Sequence, residues 1–206
     1  VTITFTIPPV GVADQITVSE AATATTLTGG VTSVLANDSD SDGDPITAVL
    51  LTNPSYGTLV LNTNGTFSYA HNGSETTSDT FTYAANDGFI NGNTVTVTIT
   101  INPVNDRPTT VSDTLNVNEA GTVTLTTGGA SNLLANDIDP EGDNLTAIVV
   151  TNPSYGNLTL NSSGTFSYIH DGSETTTDTF LYRVFDGELY GDTVTITIVI
   201  NPVNDA

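Results

Sequence analysis

The chain repeats itself at an offset of 99 residues. The run Asn-Pro-Ser-Tyr-Gly at residues 53–57 recurs at 152–156. Aligned without gaps, residues 10–106 and 109–205 are identical at 57 of 97 positions. An alignment that needs no gaps over this length indicates a duplicated domain. The sequence of 206 residues therefore predicts two copies of one domain.

The expected boundaries place the first repeat at residues 10–106 and the second at residues 107–206. Residues 1–9 are interpreted as a leading strand or connector, the remnant of a preceding repeat, because Val1–Phe5 alternates apolar and polar residues. Together with the ending at residues 201–205, this start suggests a piece of a longer tandem array.

Each copy consists of short alternating segments bounded by turn residues. In the last segment of the first copy, valine and isoleucine alternate with threonine, so one face contacts a core and the other faces water. Leu35 lies in an expected helical turn. About seven short strands in a repeat of this length predict an all-β, Ig-like antiparallel sandwich. In the first copy these strands are expected at Ile16–Val18, Ala24–Leu27, Ile46–Leu51, Thr58–Leu61, Thr66–Tyr69, Thr80–Ala84 and Thr94–Ile101.

The charge of the chain is strongly negative and unevenly distributed. Arg107 and Arg183 are the only basic residues apart from two histidines, against 23 acids, for a formal charge of -21. Nucleic acid and anionic membranes are therefore repelled, and cations are the natural partners. The chain contains no cysteine, which excludes disulfides and thiolate metal sites. The sequence contains no apolar run of 18 residues, so no membrane-spanning helix is predicted.

The densest acidic segment is Asp38-Ser-Asp-Ser-Asp-Gly-Asp44, and its copy runs from Asp137 to Asp143. Two carboxylates about 4 Å apart repel by about 1–4 kcal/mol at effective dielectric constants of 80 to 20. Calcium relieves such repulsion, because it takes 6–8 oxygen ligands. The segment matches the first half of an EF-hand loop, but Val49 stands where that loop needs its last glutamate. The remaining ligands must therefore come from elsewhere in the fold.

The connector Asn102-Pro-Val-Asn-Asp-Arg-Pro108 joins the two repeats. Its two prolines restrict the backbone, so we expect a short and stiff connection. Asn105 and Asp106 supply side-chain oxygens there. The alternative interpretation is an ordinary Asx turn between strands.

These motifs resemble those of a known family. The connector resembles the D-x-N-D-x-x-P linker of cadherins. The acidic loop after Asn37, the strand at residues 78–83 and the Asp87-Gly88 turn look like the cadherin-like repeats of large bacterial adhesins of the RTX type, which are secreted by the type I route. The resemblance covers nearly all of residues 10–206. It implies calcium-dependent sandwich domains stacked end to end, with several calcium ions at each joint.

The resemblance also implies which residues bind calcium. One departure is that Ile7-Pro-Pro-Val-Gly11 lacks the Asn-Asp pair, so the outer site of the first repeat is expected to be weak or incomplete. At the joint, the expected ligands are Glu20, Glu75 and Asp79 of the first repeat, Asn102, Val104 through its carbonyl, Asn105 and Asp106 of the connector, and Asp137, Asp139, Asp143 and Asp186 of the second repeat. The matching outer residues are Asp38, Asp40, Asp44 and Asp87 in the first repeat, and Glu119, Glu174, Asp178, Asn204 and Asp205 in the second.

The other motifs point to structure. His71 and His170 are expected at a turn or strand end, because no second histidine stands near either to share a metal ion. The aromatic residues of the strands, such as Phe67 and Tyr83, are expected to pack in the core, with a sugar-stacking platform as the alternative. No motif for hydrolytic catalysis occurs, and an enzyme is not expected.

The functional hypothesis is a calcium-stiffened extender of a secreted bacterial surface adhesin, which holds a distal adhesive region away from the cell. Its partners would be adjacent repeats of the same chain, and surface glycans or proteins would be bound by other domains. The alternative is a module that binds sugar or protein directly through a segment in which the copies differ, Phe89-Ile-Asn91 against Glu188-Leu-Tyr190. Homophilic adhesion is a third hypothesis, whereas the first predicts a monomer.

Overall fold

The computed structural model describes residues 6–204, so the strand expected at Val1–Phe5 and the ligand expected at Asp205 lie outside the described residues. The chain divides between Val104 and Asn105 into two compact units, each of which contains one copy of the repeat.

Repeat 1 forms all seven strands that the alternation predicts. The second strand is shorter than expected, because the backbone N–H of Leu27 donates to the carbonyl of Val31 at 2.7 Å and closes a loop instead of extending the strand. The strands are β1 (Asp14–Ser19), β2 (Thr23–Ala24), β3 (Thr47–Thr52), β4 (Gly57–Leu61), β5 (Phe67–His71), β6 (Ser78–Asn86) and β7 (Val95–Asn102).

Repeat 2 has the same element order. The helical turn expected near Leu35 is a hydrogen-bonded turn in repeat 1, where the Asp38 N–H donates to the carbonyl of Leu35 at 3.2 Å. The matching segment of repeat 2 is a 3₁₀ helix, Leu133–Asn136, and Asn132 caps it by accepting from the Leu134 N–H at 2.8 Å. The strands are β8 (Thr114–Asn118), β9 (Thr122–Val123), β10 (Thr146–Thr151), β11 (Gly156–Leu160), β12 (Phe166–His170), β13 (Thr177–Phe185) and β14 (Val194–Asn201).

Each repeat is a sandwich of a four-stranded and a three-stranded sheet. In repeat 1 the strand orders are β1-β7-β6-β3 and β2-β5-β4, and repeat 2 has the equivalent pairings. The strands are paired antiparallel except that β1 is parallel to β7, as β8 is to β14. Parallel neighbours need a long crossover connection, which the intervening strands of the repeat supply.

The core lies between the two sheets of each repeat. Along β7 the residues alternate between buried and exposed, as the sequence predicts. Phe67, Tyr69, Phe81 and Tyr83 are almost fully buried, which confirms the expected core packing of these aromatic rings. The hydroxyls of Tyr69 and Tyr83 donate to Asp79 and Asp38, because a phenol in an apolar core needs a hydrogen-bond acceptor.

The strand directions gather the acidic loops at two ends of each repeat. In repeat 1 the acidic segment Asp38–Asp44 comes before β3 and Asp87 follows β6, and the start of β3 pairs with the end of β6 at Thr47 and Asn86. We call this the head. Glu20 follows β1, and parallel pairing sets the end of β1 beside the end of β7, where the chain leaves. We call this the tail.

Candidate metal centres

The tail of repeat 1 holds a buried carboxylate. Glu20 is 7% exposed, and its Oε2 accepts a hydrogen bond from the Val104 N–H at 3.3 Å. Its Oε1 is also buried and has no hydrogen-bond partner among the described residues. A carboxylate oxygen of Glu75 lies within 4.8 Å of one of Glu20. Two acidic side chains, one with a buried oxygen that has no hydrogen-bond partner among the described residues, make this a candidate cation site.

Parallel strand pairing explains how the tail brings Glu20 to the exit of the chain. The backbone N–H of Glu20 donates to the carbonyl of Asn102 at 2.9 Å, which continues the pairing of β1 with β7 by one residue. The next residues of the exiting chain, Pro103 and Val104, therefore run beside the Glu20 side chain. Asn102 and Val104 contact Glu20 with their backbone atoms.

The tail of repeat 2 has the same arrangement. Glu119 is 7% exposed, and its Oε2 accepts from the Val203 N–H at 3.1 Å. The Glu119 N–H donates to the carbonyl of Asn201 at 2.9 Å. Glu174 occupies the position of Glu75, and Asn204 is exposed in the exiting chain. The two tails are thus built in the same way from the same residue types.

The head of repeat 2 contacts the connector through its side chains. The Asn105 amide donates to Oδ2 of Asp186 at 3.0 Å, and the Asp106 N–H donates to Oε1 of Glu141 at 2.9 Å. The other oxygen of Asp186 accepts from the N–H groups of Glu188 and Leu189 at 2.6 and 2.7 Å. Burial opposes ionisation of Asp186, but these donors outweigh it and lower its pKa.

Two buried carboxylate oxygens of the acidic loop in repeat 2 have no hydrogen-bond partner among the described residues. Asp139 is 9% exposed, and its Oδ1 accepts from the Asp143 N–H at 2.9 Å. Its Oδ2, and Oε2 of Glu141, are buried without a hydrogen-bond partner among the described residues. Ionised oxygens in such positions require a compensating positive charge. Glu141 was not among the expected ligands, although the sequence holds an acid at the matching position of both copies, Asp42 and Glu141.

The head of repeat 1 keeps the acidic loop but has no counterpart of the connector acid Asp106. Carboxylate oxygens of Asp40, Asp42 and Asp44 lie within 4.8 Å of one another. Each pair at that separation repels by about 1–3 kcal/mol at effective dielectric constants of 80 to 20. Asp40 Oδ1 accepts from the N–H groups of Asp42 and Asp44, whereas its Oδ2 is buried without a partner in the described part of the chain.

Thr6 and Ile7 occupy the positions of Asn105 and Asp106 in this head. The Thr6 hydroxyl donates to Asp87 at 3.4 Å, and the Ile7 N–H donates to Asp42 at 2.7 Å. The backbone contact is thus the same as in repeat 2, but the carboxylate of Asp106 has no counterpart. An incomplete outer site at this head stays a prediction.

Asp87 also closes a turn in the head of repeat 1. Its Oδ1 accepts from the N–H groups of Phe89 and Ile90 at 2.7 and 2.8 Å and so closes the Asp-Gly turn. The Ile90 N–H is the main cause of the lowered pKa of Asp87. An ionised carboxylate is therefore held at this position by the backbone itself.

The first aspartate of each acidic loop is hydrogen-bonded to a buried tyrosine of its own repeat. Asp38 accepts from the Val12 N–H at 2.7 Å and from the Tyr83 hydroxyl at 2.9 Å. Asp137 accepts from the Val111 N–H at 2.7 Å and from the Tyr182 hydroxyl at 2.8 Å. Burial raises the pKa of Asp137. These two residues tie the acidic loop to the core.

Asp79 is held by four hydrogen bonds within its own repeat. It accepts from the N–H groups of Ser55, Tyr56 and Thr80 and from the Tyr69 hydroxyl, all at 2.8–2.9 Å. Burial favours the neutral acid, but these donors outweigh burial and lower the pKa of Asp79. The carboxylate closes a loop, which accounts for its burial without any metal ion.

Asp178 repeats this arrangement with Ser154, Tyr155, Thr179 and Tyr168. For Asp79 and Asp178 the structure therefore favours a loop-closing role over the expected ligand role. The sequence could not separate the two roles, because both require an acid at the same position of each copy.

Comparisons with known proteins agree with this architecture. The family model described as "Bacterial cadherin-like domain" matches residues 7–103 and again residues 105–202. No curated protein sequence matches the chain. Among the described residues no helix is long and apolar enough to cross a membrane.

Solved cadherin structures share the fold at low sequence identity. Human mucin-like protocadherin EC1-2 is 14% identical with a TM-score of 0.60, and the match covers 95% of this chain and 98% of that one. Human CDH23 EC21-23 is 15% identical with a TM-score of 0.62, covering 95% and 70%. The protocadherin GammaB4 extracellular domain is 16% identical with a TM-score of 0.53, covering 94% of this chain and only 34% of that chain.

The matched ranges correspond to the two repeats that the 99-residue period predicts. The chain therefore belongs to the family of bacterial cadherin-like domains, of which it carries two tandem copies.

Proposed function

We propose that the chain is a pair of calcium-binding extender repeats from a secreted bacterial surface adhesin of the RTX type. Calcium supplies positive charge and a flexible shell of oxygen ligands, and the repeats supply the acids. Bound calcium stiffens the connection between neighbouring repeats, so that an array of them projects an adhesive region from the cell surface, as in a biofilm.

One observation carries the calcium part of the proposal. Oxygens of Glu20, Asp40, Asp139 and Glu141 are buried without a hydrogen-bond partner among the described residues. An ionised oxygen in that position destabilises the fold by several kcal/mol unless a cation or donor neutralises it. All four of these oxygens belong to the acidic ends of the repeats, where the family resemblance implies ligands.

The chain has little positive charge of its own to neutralise these acids. Arg107 forms an exposed ion pair with Asp192 at 2.7 Å. Arg183 lies over the ring of Tyr190, 3.8 Å from its centroid. The sequence contains no lysine. The compensating charge must come from solution, and clustered carboxylates with nearby backbone carbonyls suit calcium.

Chain connectivity supports ligand sharing between repeats. Val104 donates its N–H to Glu20 in the tail of repeat 1, and Asn105 donates its side-chain amide to Asp186 in the head of repeat 2. These two connector residues are adjacent in the chain, and consecutive Cα atoms are about 3.8 Å apart. We propose that calcium at the connector draws ligands from both repeats. The proposed set comprises Glu20, Glu75, Asn102, Val104, Asn105, Asp106, Asp137, Asp139, Glu141, Asp143 and Asp186.

Small-angle X-ray scattering of the two-repeat chain tests the extender role. We expect a longer and narrower particle in calcium than in chelator. Asp106→Ala should abolish that difference, whereas Asp192→Ala, which removes an exposed acid of the Arg107 ion pair, should preserve it. Identical profiles in calcium and chelator for the wild-type chain would contradict the stiffening.

Direct binding of sugar or protein is the alternative function. Its best support is a difference between the copies: in repeat 2 the Phe185 and Tyr190 rings stack with centroids 4.5 Å apart, while repeat 1 has a hydrogen bond between Asn86 and Asn91. Because Arg183 also lies over the Tyr190 ring, this ring already has partners within its repeat, which favours a structural role. Binding of the chain on a glycan array would support the alternative. Calcium-dependent dimers in sedimentation would support homophilic adhesion over the proposed monomer.

A further inference from the structure

His71 is a buried residue that joins two loops at the tail of repeat 1. His71 is 6% exposed. The ring Nδ1 lies 3.3 Å from the backbone nitrogen of Ala21 and 3.3 Å from that of Gly73. The ring Nε2 lies 3.1 Å from the hydroxyl oxygen of Thr76. One imidazole thus contacts the turn after β1 and the loop after β5.

These contacts define the state of the ring. Nδ1 accepts from two backbone N–H groups, so it carries no proton. The proton of the neutral ring therefore lies on Nε2, which donates to Thr76. The hydroxyl of Thr76 in turn lies 3.2 Å from that of Ser74, so the hydrogen bonds continue along the loop.

The two loops are those that carry the tail carboxylates. Ala21 directly follows Glu20, and Thr76 directly follows Glu75. The turn at Glu20 is tight, with the Ala22 N–H donating to the Ser19 carbonyl at 3.1 Å. Ala21 has a φ of 53°, in the left-handed region that is unfavourable for a residue with a β-carbon. By accepting from the Ala21 N–H, Nδ1 helps to hold this backbone conformation, which positions the neighbouring residue Glu20.

Repeat 2 contains the same clamp. Nδ1 of His170, which is 3% exposed, lies 3.2 Å from the Ala120 nitrogen and 3.3 Å from the Gly172 nitrogen, and Nε2 lies 3.1 Å from the Thr175 hydroxyl. Ala120 is also left-handed, with a φ of 52°. The residues that form the clamp are identical in the two copies, while neighbours at its edge, Asn72 and Asp171, differ.

We propose that His71 is a positioning residue for the tail cation: its neutral imidazole ties the Glu20 turn to the Glu75 loop and so keeps the two carboxylates close enough to share one ion. His170 has the same role for Glu119 and Glu174. The inference rests on the proposed calcium binding at the tail. The role is distinct from ligation, because both ring nitrogens are used by protein groups.

The test follows calcium binding at the tail by NMR in the two-repeat chain, using the signals of Glu20 and Glu75. His71→Ala should weaken this binding about 10- to 100-fold, the usual effect of losing a residue that orients metal ligands. His71→Asn should restore most of the affinity, because its amide oxygen can replace Nδ1 as acceptor. His170→Ala, the matched change in repeat 2, should leave the titration of Glu20 and Glu75 unchanged.

Two results would overturn the inference while calcium binding stands: unchanged calcium affinity in His71→Ala, or a protonated Nδ1 in the nitrogen spectrum of His71 in the wild-type chain. If His71→Ala does not fold, Thr76→Val removes the contacts of the Thr76 hydroxyl with Nε2 and with Ser74 but leaves both bonds at Nδ1. Unchanged affinity in that variant counts against the clamp. A wild-type chain whose Glu20 and Glu75 signals ignore calcium would instead refute the proposed function, and the inference with it.

Discussion

Asp14 and Asp38 accept hydrogen bonds from one and the same hydroxyl group, that of Tyr83, at 3.1 and 2.9 Å. A hydroxyl has a single proton, so it cannot satisfy both carboxylates at once. Burial, together with the charge of Asp38, raises the pKa of Asp14 from 3.8 to about 6. In repeat 2, burial and the charge of Asp137 raise the pKa of Asp113 to about 6. Like charges are thus held close together inside each head.

The first prediction concerns pH in the metal-free protein. Because the pKa of Asp14 is higher in the folded state than in the unfolded state, its contribution to stability is present below about pH 4 and is lost as the pH rises through about 6. A pKa shift of this size corresponds to about 3 kcal/mol in the free energy of unfolding. In chelator, the unfolding midpoint of the wild-type chain should therefore fall relative to that of Asp14→Asn between pH 4.5 and 7.

All other titratable groups are common to these two proteins, so the difference between them isolates Asp14. Asp113→Asn provides the matched measurement for repeat 2. A difference in midpoint that stays constant across this pH range would show that Asp14 keeps its charge in the fold.

The second prediction concerns Glu20. Glu20→Gln keeps the shape of the side chain but removes its charge, so calcium binding at the tail should weaken by at least tenfold. In chelator the variant should be at least as stable as wild type, because a buried charge with one unsatisfied oxygen has been removed. Calorimetric calcium titration and thermal unfolding check the two halves. A variant with wild-type calcium affinity would remove Glu20 from the ligand set.

The third prediction separates loop closure from ligation at Asp79. Asp79→Asn should lower the free energy of unfolding by about 2–5 kcal/mol, because it disrupts hydrogen bonds to a buried carboxylate. The loss should be the same in calcium and in chelator. A loss that appears only in calcium would restore Asp79 to the ligands that the family resemblance implies.

The fourth prediction concerns Glu141, which is not among the ligands that the family resemblance implies. Glu141→Gln should weaken calcium binding at the head of repeat 2 and leave the Asp106 N–H with an amide oxygen as acceptor. Glu188→Gln is the control, since it neutralises a nearby acid in the same head that the proposal does not use. Equal calcium affinities for the two variants would argue against Glu141.

The alternation of apolar and polar residues was enough to predict the strands, because each strand has one face in the core. It could not predict that β1 pairs with β7 in parallel, since pairing direction depends on how the chain crosses between sheets. That pairing brings Glu20 beside Val104. The acids at the ends could be found from their recurrence in both copies. Recurrence alone could not distinguish Asp79, which closes a loop, from Glu20, and it could not assign a role to His71. Both depend on hydrogen bonds between segments that are distant in the sequence.

The most direct test of the account is the unfolding midpoint of the wild-type chain at neutral pH in calcium and in chelator, with magnesium as the control cation. At a free calcium concentration about 100 times the dissociation constant, one bound ion adds about 2.7 kcal/mol to the free energy of unfolding. We predict a clear rise of the midpoint in calcium and a smaller one in magnesium, which demands a stricter octahedral geometry. An unfolding midpoint that is the same in calcium and in chelator would contradict the claim that the buried carboxylates of the two repeats hold calcium.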